Sequence, residues 1–291
     1  MLNRIRIVCL VAPFVLVASS ALPARAGNLD GVITSEYPNK IVTLRRFFSG
    51  ERLRFYADGS LVEDAPAGTF TTDGQVEVRD ATLERSVLTI KARRICQVYD
   101  AKRRQFVDAL TTIENLPGRQ QKDIEKALRR RQVTIEIQMA PAPDPKEIPE
   151  ALHAVFLARD EPVTKIAPPF YRDFFAKLDG TTDQSTVPAG VFRMTSTHGK
   201  PAEISAPRAT FSPDPEYSEA ARQLKFQGSA VLSFIVDPSG SVRDLQITRP
   251  LGAGLDDKAI AAVSQWKFQP AQKDGKPVPV AISVEVDFRL Y

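Results

Sequence analysis

The chain has 291 residues, 43% apolar and 25% charged, with a formal net charge of +4. That balance excludes wholesale disorder, and 15 glycines and 2 cysteines exclude collagen-like and disulfide-stapled classes. At roughly 100–200 residues per domain the length predicts two domains, and a single uncharged apolar run near the start excludes a bundle of membrane-spanning helices.

That run reads as a secretory leader over residues 1–26. Arg4 and Arg6 form a basic start, Ile7 to Ala18 an apolar stretch broken by Pro13, and Ala24-Arg25-Ala26 a cleavage site before Gly27. The competing reading is a short uncleaved anchor, but Ile7 to Leu22 is 16 residues, short of the ~20 that span a bilayer as a helix. The leader holds three of the 39 basic residues and none of the 35 acidic ones, so its removal leaves a net charge of +1. A polyanionic partner then loses its main support, and export argues against nucleic acid. Cys9 departs with the leader. Cys96, alone in the strand-like stretch Ala92–Tyr99, reads as a small buried hydrophobe, and no internal disulfide is expected.

Residues 27–140 read as a β-rich domain. Arg52–Tyr56 and Leu61-Val62 flank Asp58-Gly59, a hairpin signal, and Gly68-Thr69-Phe70 and Val76–Val78 flank Asp73-Gly74 in the same way. Val87–Ile90 continues the strand pattern. Leu116–Arg131 turns helical, with Pro117 at its start, Ile124 and Leu128 on one face, and Arg129-Arg130-Arg131 at its end, where cations complement the helix dipole and water. Val133–Ile137 alternates as a strand. Residues 141–212 read as a Pro-rich connection with helical islands at Glu147–Arg159 and Phe170–Leu178, followed by a Gly-, Pro-, Ser- and Thr-rich linker from residue 180. His153 on the first island reads as a surface or packing residue rather than a ligand.

The last 79 residues carry more specific signals. Tyr217–Leu224 reads as a short helix with Ala220, Ala221 and Leu224 on one face. Ser229–Asp237 reads as a strand burying Ala230, Leu232, Phe234 and Val236, and Asp237-Pro238-Ser239-Gly240 as a tight turn into a second strand, Val242–Thr248. Asp256 is expected to cap a helix running to Trp266, with Ala259, Ala262, Val263 and Trp266 facing a core that Phe268 completes. The final strand alternates cleanly. Val278, Val280, Ile282, Val284, Val286, Phe288 and Leu290 share one face, and Ala281, Ser283, Glu285, Asp287 and Arg289 the other. The order helix, hairpin, helix, long strand predicts a small α+β domain.

Residues 213–291 resemble the TonB C-terminal domain, the periplasmic module of energy-transducer proteins. The landmarks are Pro215-Glu216-Tyr217-Ser218-Glu219-Ala220-Ala221-Arg222, the strand opening at Gly228, Asp237-Pro238-Ser239-Gly240, Gly254-Leu255-Asp256, Trp266-Lys267-Phe268-Gln269-Pro270-Ala271, Gly275-Lys276-Pro277-Val278 and Val286-Asp287-Phe288. Each is weak alone, and their ordered series is specific. The resemblance implies two helices packed on a short antiparallel sheet, and strand addition, in which the box segment of an outer-membrane transporter pairs beside the last strand. Carried onto this sequence, the partner-binding residues are Val280, Ile282, Ser283, Val284, Glu285, Val286, Asp287, Phe288 and Arg289. It also implies inner-membrane motor partners if the leader is retained. The apolar run here holds no histidine, and a β-rich domain stands where such transducers have a long Pro- and Lys-rich spacer.

An enzyme is the competing class. His153 and His198 are isolated, neither H-E-x-x-H nor G-x-S-x-G occurs, and no catalytic residue, metal ligand or cofactor is assigned. A two-carboxylate hydrolase in the N-terminal domain is the remaining enzymatic option. The sequence therefore predicts an exported, periplasmic, non-enzymatic partner-binding protein. An envelope scaffold without energy transduction is the alternative, and a homodimer stays open.

Overall fold

The computed structural model describes residues 27–114, 116–180, 188–193 and 204–290. The expected leader, with Cys9, and His198 lie outside the described residues. The fold is mixed α+β. Its first part runs β1 (Gly27–Asn28), α1 (Asp30–Glu36), β2 (Ile41–Thr43), β3 (Arg52–Tyr56), α2 (Phe70–Asp73), β4 (Gln75–Glu84), β5 (Val87–Ile95), β6 (Gln97–Asp100), β7 (Gln105–Asp108), α3 (Gly118–Arg129), β8 (Gln132–Gln138), α4 (Glu147–Val155) and α5 (Arg172–Leu178).

The alternating apolar residues of these strands build a sheet in the order β1-β4-β5-β8-β3, with β2 also on β4. Val76, Val78, Leu88, Ile90, Val133, Ile135 and Ile137 bury one face against Ile33 of α1 and Ile148, Leu152 and Val155 of α4. The expected hairpin at Asp58-Gly59 forms in short form, with a bridge from Phe55 to Leu61, the Tyr56 N–H donating to the Ser60 carbonyl at 2.8 Å and the Val62 N–H to the Arg54 carbonyl at 2.9 Å, while the other side of β3 pairs in parallel with β8. At Asp73-Gly74 the structure corrects the hairpin reading: Phe70–Asp73 is a helical turn. The Asp73 carboxylate accepts from the Thr69 N–H at 3.0 Å and the Thr72 hydroxyl at 2.6 Å, local bonds that favour a turn over a ladder. The helix at the arginine cluster forms with Ile124 and Leu128 buried, and Arg129 and Arg130 are exposed. Arg131 turns inward to donate to the Thr72 carbonyl. Cys96 is buried, and burial pushes its thiol up to about 12. His153 meets Glu36 at 2.9 Å on the surface of α4.

The second part runs β9 (Phe192–Arg193), β10 (Arg208–Phe211), α6 (Glu219–Leu224), β11 (Gly228–Val236), β12 (Val242–Arg249), α7 (Leu255–Val263), β13 (Lys267–Gln269), β14 (Ala271–Lys273), β15 (Lys276–Val278) and β16 (Val280–Phe288). Ser218 caps α6 by accepting from the Ala221 N–H at 3.0 Å. The expected cap on α7 is a correction. Gly254 holds the cap position, and Asp256 sits inside the first turn, fully buried. The helix ends at Val263. Trp266 lies beyond it, its indole N–H donating to the Pro213 carbonyl at 3.1 Å.

The second core is shared between the two parts. Phe70, Cys96, Val98, Tyr171, Phe174 and Phe175 bury with Ala221, Leu232, Phe234, Leu255, Val263 and Phe288 in one cluster. Phe70 joins its aromatic network, with ring centroids 5.5 Å from Phe47, 5.9 Å from Phe106 and 5.6 Å from Tyr171. The stretch expected as linker is paired where it is described: β9 joins β16, β10 joins β13, and Ile204 bridges to Lys273.

Candidate functional site

The C-terminal sheet has the order β12-β11-β16-β9. The period-two pattern of β16 buries Val286 and Phe288 in the shared core, with Ile282 and Val284 packed against it and Val280 also buried, and leaves Ser283, Glu285 and Asp287 exposed. Its register with β11 is unbroken, from Gly228 opposite Phe288 to Val236 opposite Val280.

The two edges of this sheet differ. On β12 the ladder to β11 is interrupted between Ser233 and Ile235, and Asp244 adopts a positive φ of 51°, an irregularity that spoils the edge for further pairing. The turn Pro169–Tyr171 and α5 also pack against β12, and the Asp173 N–H donates to the Gln246 side chain at 3.4 Å. On β16 the far edge is taken, among the described residues, at Val280 and Ala281 by Phe192 and Arg193 of β9. From Ile282 to Phe288 no strand lies on that side among the described residues. In an antiparallel strand alternate residues aim their N–H and C=O groups to opposite sides. Half of this segment's main chain therefore faces outward, a template for another strand.

The side chains along the segment are held by neighbours on their own sheet. Glu285 accepts from Arg249 of β12, while Asp287 accepts from the Ser229 hydroxyl and lies 3.6 Å from Arg289. These pairs are solvent-exposed, so each contributes little stability. Where β16 ends, Asp287, Phe288 and Arg289 line a cleft of about 450 Å³ with Asp214, Pro215 and Tyr217. Neither β9 nor this cleft has a local signal in the sequence. Two residues between prolines and polar linker carry no periodicity, and the cleft joins segments about seventy positions apart.

A built seam holds the C-terminal part against the first. Val98 of β6 bridges to Gly252, the Tyr99 N–H donates to the Leu251 carbonyl at 2.8 Å, and the Ala253 N–H donates to the Gln97 carbonyl at 2.7 Å. The Gly254 N–H donates to the Thr71 hydroxyl at 2.9 Å. The Asp256 carboxylate accepts from the Tyr171 hydroxyl at 2.7 Å and from the Leu251 and Gly252 N–H groups at 2.8 Å each.

Burial pushes the Asp256 carboxyl up to about 6 against those three donors. Asp257 beside it is pushed up to about 7, by burial first and then by the Asp256 charge, and its buried Oδ2 has no hydrogen-bond partner among the described residues. A carboxyl whose pKa is raised on folding makes the folded state bind the extra proton. Its contribution is therefore full below the unfolded value near 4 and is lost as pH rises through about 7. Asp257→Asn should gain on the wild type by roughly 2 kcal/mol between pH 4 and pH 8. Urea unfolding of both proteins across that range checks this, and parallel pH curves would refute it.

Among the described residues no group of three His, Cys, Asp or Glu side chains could hold a metal ion, and no helix is long and apolar enough to cross a membrane.

Residues 213–290 match the family model described as the Gram-negative bacterial TonB protein C-terminal. Over 80 residues the chain is 35% identical to Protein tonB2 of Pseudomonas aeruginosa, covering 27% of this chain and 30% of that one. Over 92 residues it is 33% identical to Protein TonB of Vibrio cholerae, covering 31% and 36%. The chain thus spans about a third of the length of these curated relatives. The solution NMR structure of the Pseudomonas aeruginosa TonB CTD aligns with 31% of this chain and 92% of that chain, at 18% identity and a TM-score of 0.24.

Proposed function

With residues 213–290 forming a TonB C-terminal domain, we propose that this is an exported, periplasm-facing, non-enzymatic protein that binds an extended segment of an outer-membrane transporter as an added strand beside β16. The domain is read as α6 and α7 packed on the antiparallel strands β12, β11 and β16. It follows a β-rich part over residues 27–140 and a Pro-rich connection over 141–212. The partner residues are Ile282, Ser283, Val284, Glu285, Val286, Asp287, Phe288 and Arg289, with Val280 gained at the start of the strand. Energy-coupled transport across the outer membrane is the setting, and inner-membrane motor proteins join it if residues 1–26 stay attached.

The observation that carries this reading is the contrast of edges: β12 is irregular and covered, while Ile282–Phe288 is regular and open among the described residues. Main-chain bonds along such an edge supply affinity, and alternate side chains supply specificity. A second reading, an envelope adaptor that transmits no force, draws on the seam, which fastens the binding domain to the first part through main-chain bonds.

Proline tests the edge directly. Because outward and inward N–H groups alternate, one of Ile282→Pro and Ser283→Pro removes an outward donor and the other a donor to β11. The outward variant should keep its thermal midpoint within a few degrees, since proline is tolerated on an edge, and should lose at least tenfold in affinity for synthetic transporter-box peptides. The inward variant should melt markedly lower. Calorimetry with peptide titration separates the two. If both variants stay folded and bind as the wild type does, strand addition at this edge is wrong.

A further inference from the structure

The strand β9 is positioned by more than its two ladder residues. Pro188, Ala189, Gly190 and Val191 close a turn in which the Val191 N–H donates to the Pro188 carbonyl at 3.0 Å. Gly190 takes a φ of +80°, which side-chain-bearing residues rarely adopt. The turn delivers Phe192 to the start of β16, where its N–H donates to the Pro279 carbonyl at 3.0 Å. Phe192 and Arg193 then run parallel to Val280 and Ala281. From β14, in the hairpin that leads into β16, the Lys273 ammonium lies over the Phe192 ring, 5.1 Å from its centroid.

Among the described residues this attachment is specific in geometry and short. Two residues of parallel strand, a half-exposed ring and a cation over it make a contact that a longer strand could displace. It also occupies the very edge on which strand addition is proposed, and an incoming strand cannot pair with Val280 and Ala281 while β9 is there.

We infer that Phe192–Arg193 is a built-in competitor for the partner edge, one that sets where an added strand begins. With β9 in place the partner pairs over Ile282–Phe288, so the segment it fits is an extended peptide of about seven residues. Pairing over the full length of β16 requires β9 to lift off. The inference rests on the strand-addition reading and adds an intramolecular regulator to it. Phe192 and Lys273 are the residues that tune partner affinity without touching the partner's segment.

The test uses the full chain and a panel of synthetic peptides carrying transporter box segments. The double variant Phe192→Ala with Lys273→Ala should bind the peptides about three- to tenfold more tightly than the wild type, the scale on which a solvent-exposed cation–ring contact and a short strand act. Peptide-induced protection from hydrogen exchange should extend to Val280 and Ala281 in that variant and stop at Ile282 in the wild type. A second variant, Arg193→Cys with Ala281→Cys, places thiols at a register pair. When oxidised it should bind no more tightly than the wild type, and reduction should leave affinity at or above that level. Unchanged or weaker binding by the double alanine variant, with the wild type still binding, overturns the competitor alone. Failure of every protein to bind any box peptide overturns the strand-addition reading and this inference with it.

Discussion

Gly252→Ala is expected to destabilise the protein by about 3 kcal/mol or more, among the largest effects of any single added methyl group. Gly252 has a φ of +88°, and a left-handed conformation costs a side-chain-bearing residue about 1–2 kcal/mol. A Cβ there would also lie 2.8 Å from the Val98 Cα and press on the Gln97 carbonyl oxygen. Both obstacles are backbone, so no rotamer change relieves them, and overpacking of this kind costs about 1–3 kcal/mol. The strand β6 must shift, and the Tyr99–Leu251 and Ala253–Gln97 bonds shift with it. Urea unfolding measures the loss, and hydrogen exchange at the Tyr99, Ala253 and Gly254 amides locates it. Stability within 1 kcal/mol of the wild type would mean that the two parts are not fastened along this seam.

Arg94→Ala is expected to cost about 3–5 kcal/mol, because it leaves a buried carboxylate short of its cation. The Arg94 side chain is 5% exposed. Its guanidinium donates to the Gly50 carbonyl at 2.8 Å and the Asp73 carbonyl at 3.3 Å, and lies 3.4 Å from the Asp73 carboxylate. Burial lowers the pKa of Arg94, the Asp73 charge opposes that, and the like charge of Arg131 adds to it. With Arg94 gone, Asp73 keeps the Thr69 N–H, the Thr72 hydroxyl and an Arg131 guanidinium 3.9 Å away. Since α2 presents Thr71 to the Gly254 N–H, the damage should reach the seam as well. Replacing both partners, Arg94→Met with Asp73→Asn, should recover part of the loss, because the buried carboxylate is gone, although among the described residues the Arg131 guanidinium then keeps only its bond to the Thr72 carbonyl. A cost below 1 kcal/mol for the single variant, by denaturant unfolding, would show that Asp73 does not depend on Arg94.

The elements that were legible in the sequence are those whose signal is local. Residues 280–288 alternate without a fault and fold as a strand with the expected face buried, and Ala220, Ala221 and Leu224 bury together on α6. Ile124 and Leu128 of α3 obey the same logic at helical spacing. The misread elements are those where side chains capture the backbone or distant chain competes. Asp73-Gly74 carries a turn signal that suits a hairpin, yet the Asp73 carboxylate folds the preceding residues into a helical turn. Asp256 stands where a cap is expected, but its carboxylate is taken by the Tyr171 hydroxyl, 85 residues earlier in the chain.

By itself the sequence determined the residues of β16, the face each presents and the resemblance of residues 213–291, because a period of two and an ordered motif series are properties of neighbouring residues. Only the tertiary structure decided which edge of the sheet is open among the described residues. That outcome depends on α5 lying against β12 and on β9 pairing, among the described residues, with Val280 and Ala281 alone, each a contact between segments remote in the chain. Backbone groups are the same in every residue, so what satisfies them at an edge is set by whichever distant segment arrives there, and no local pattern records it.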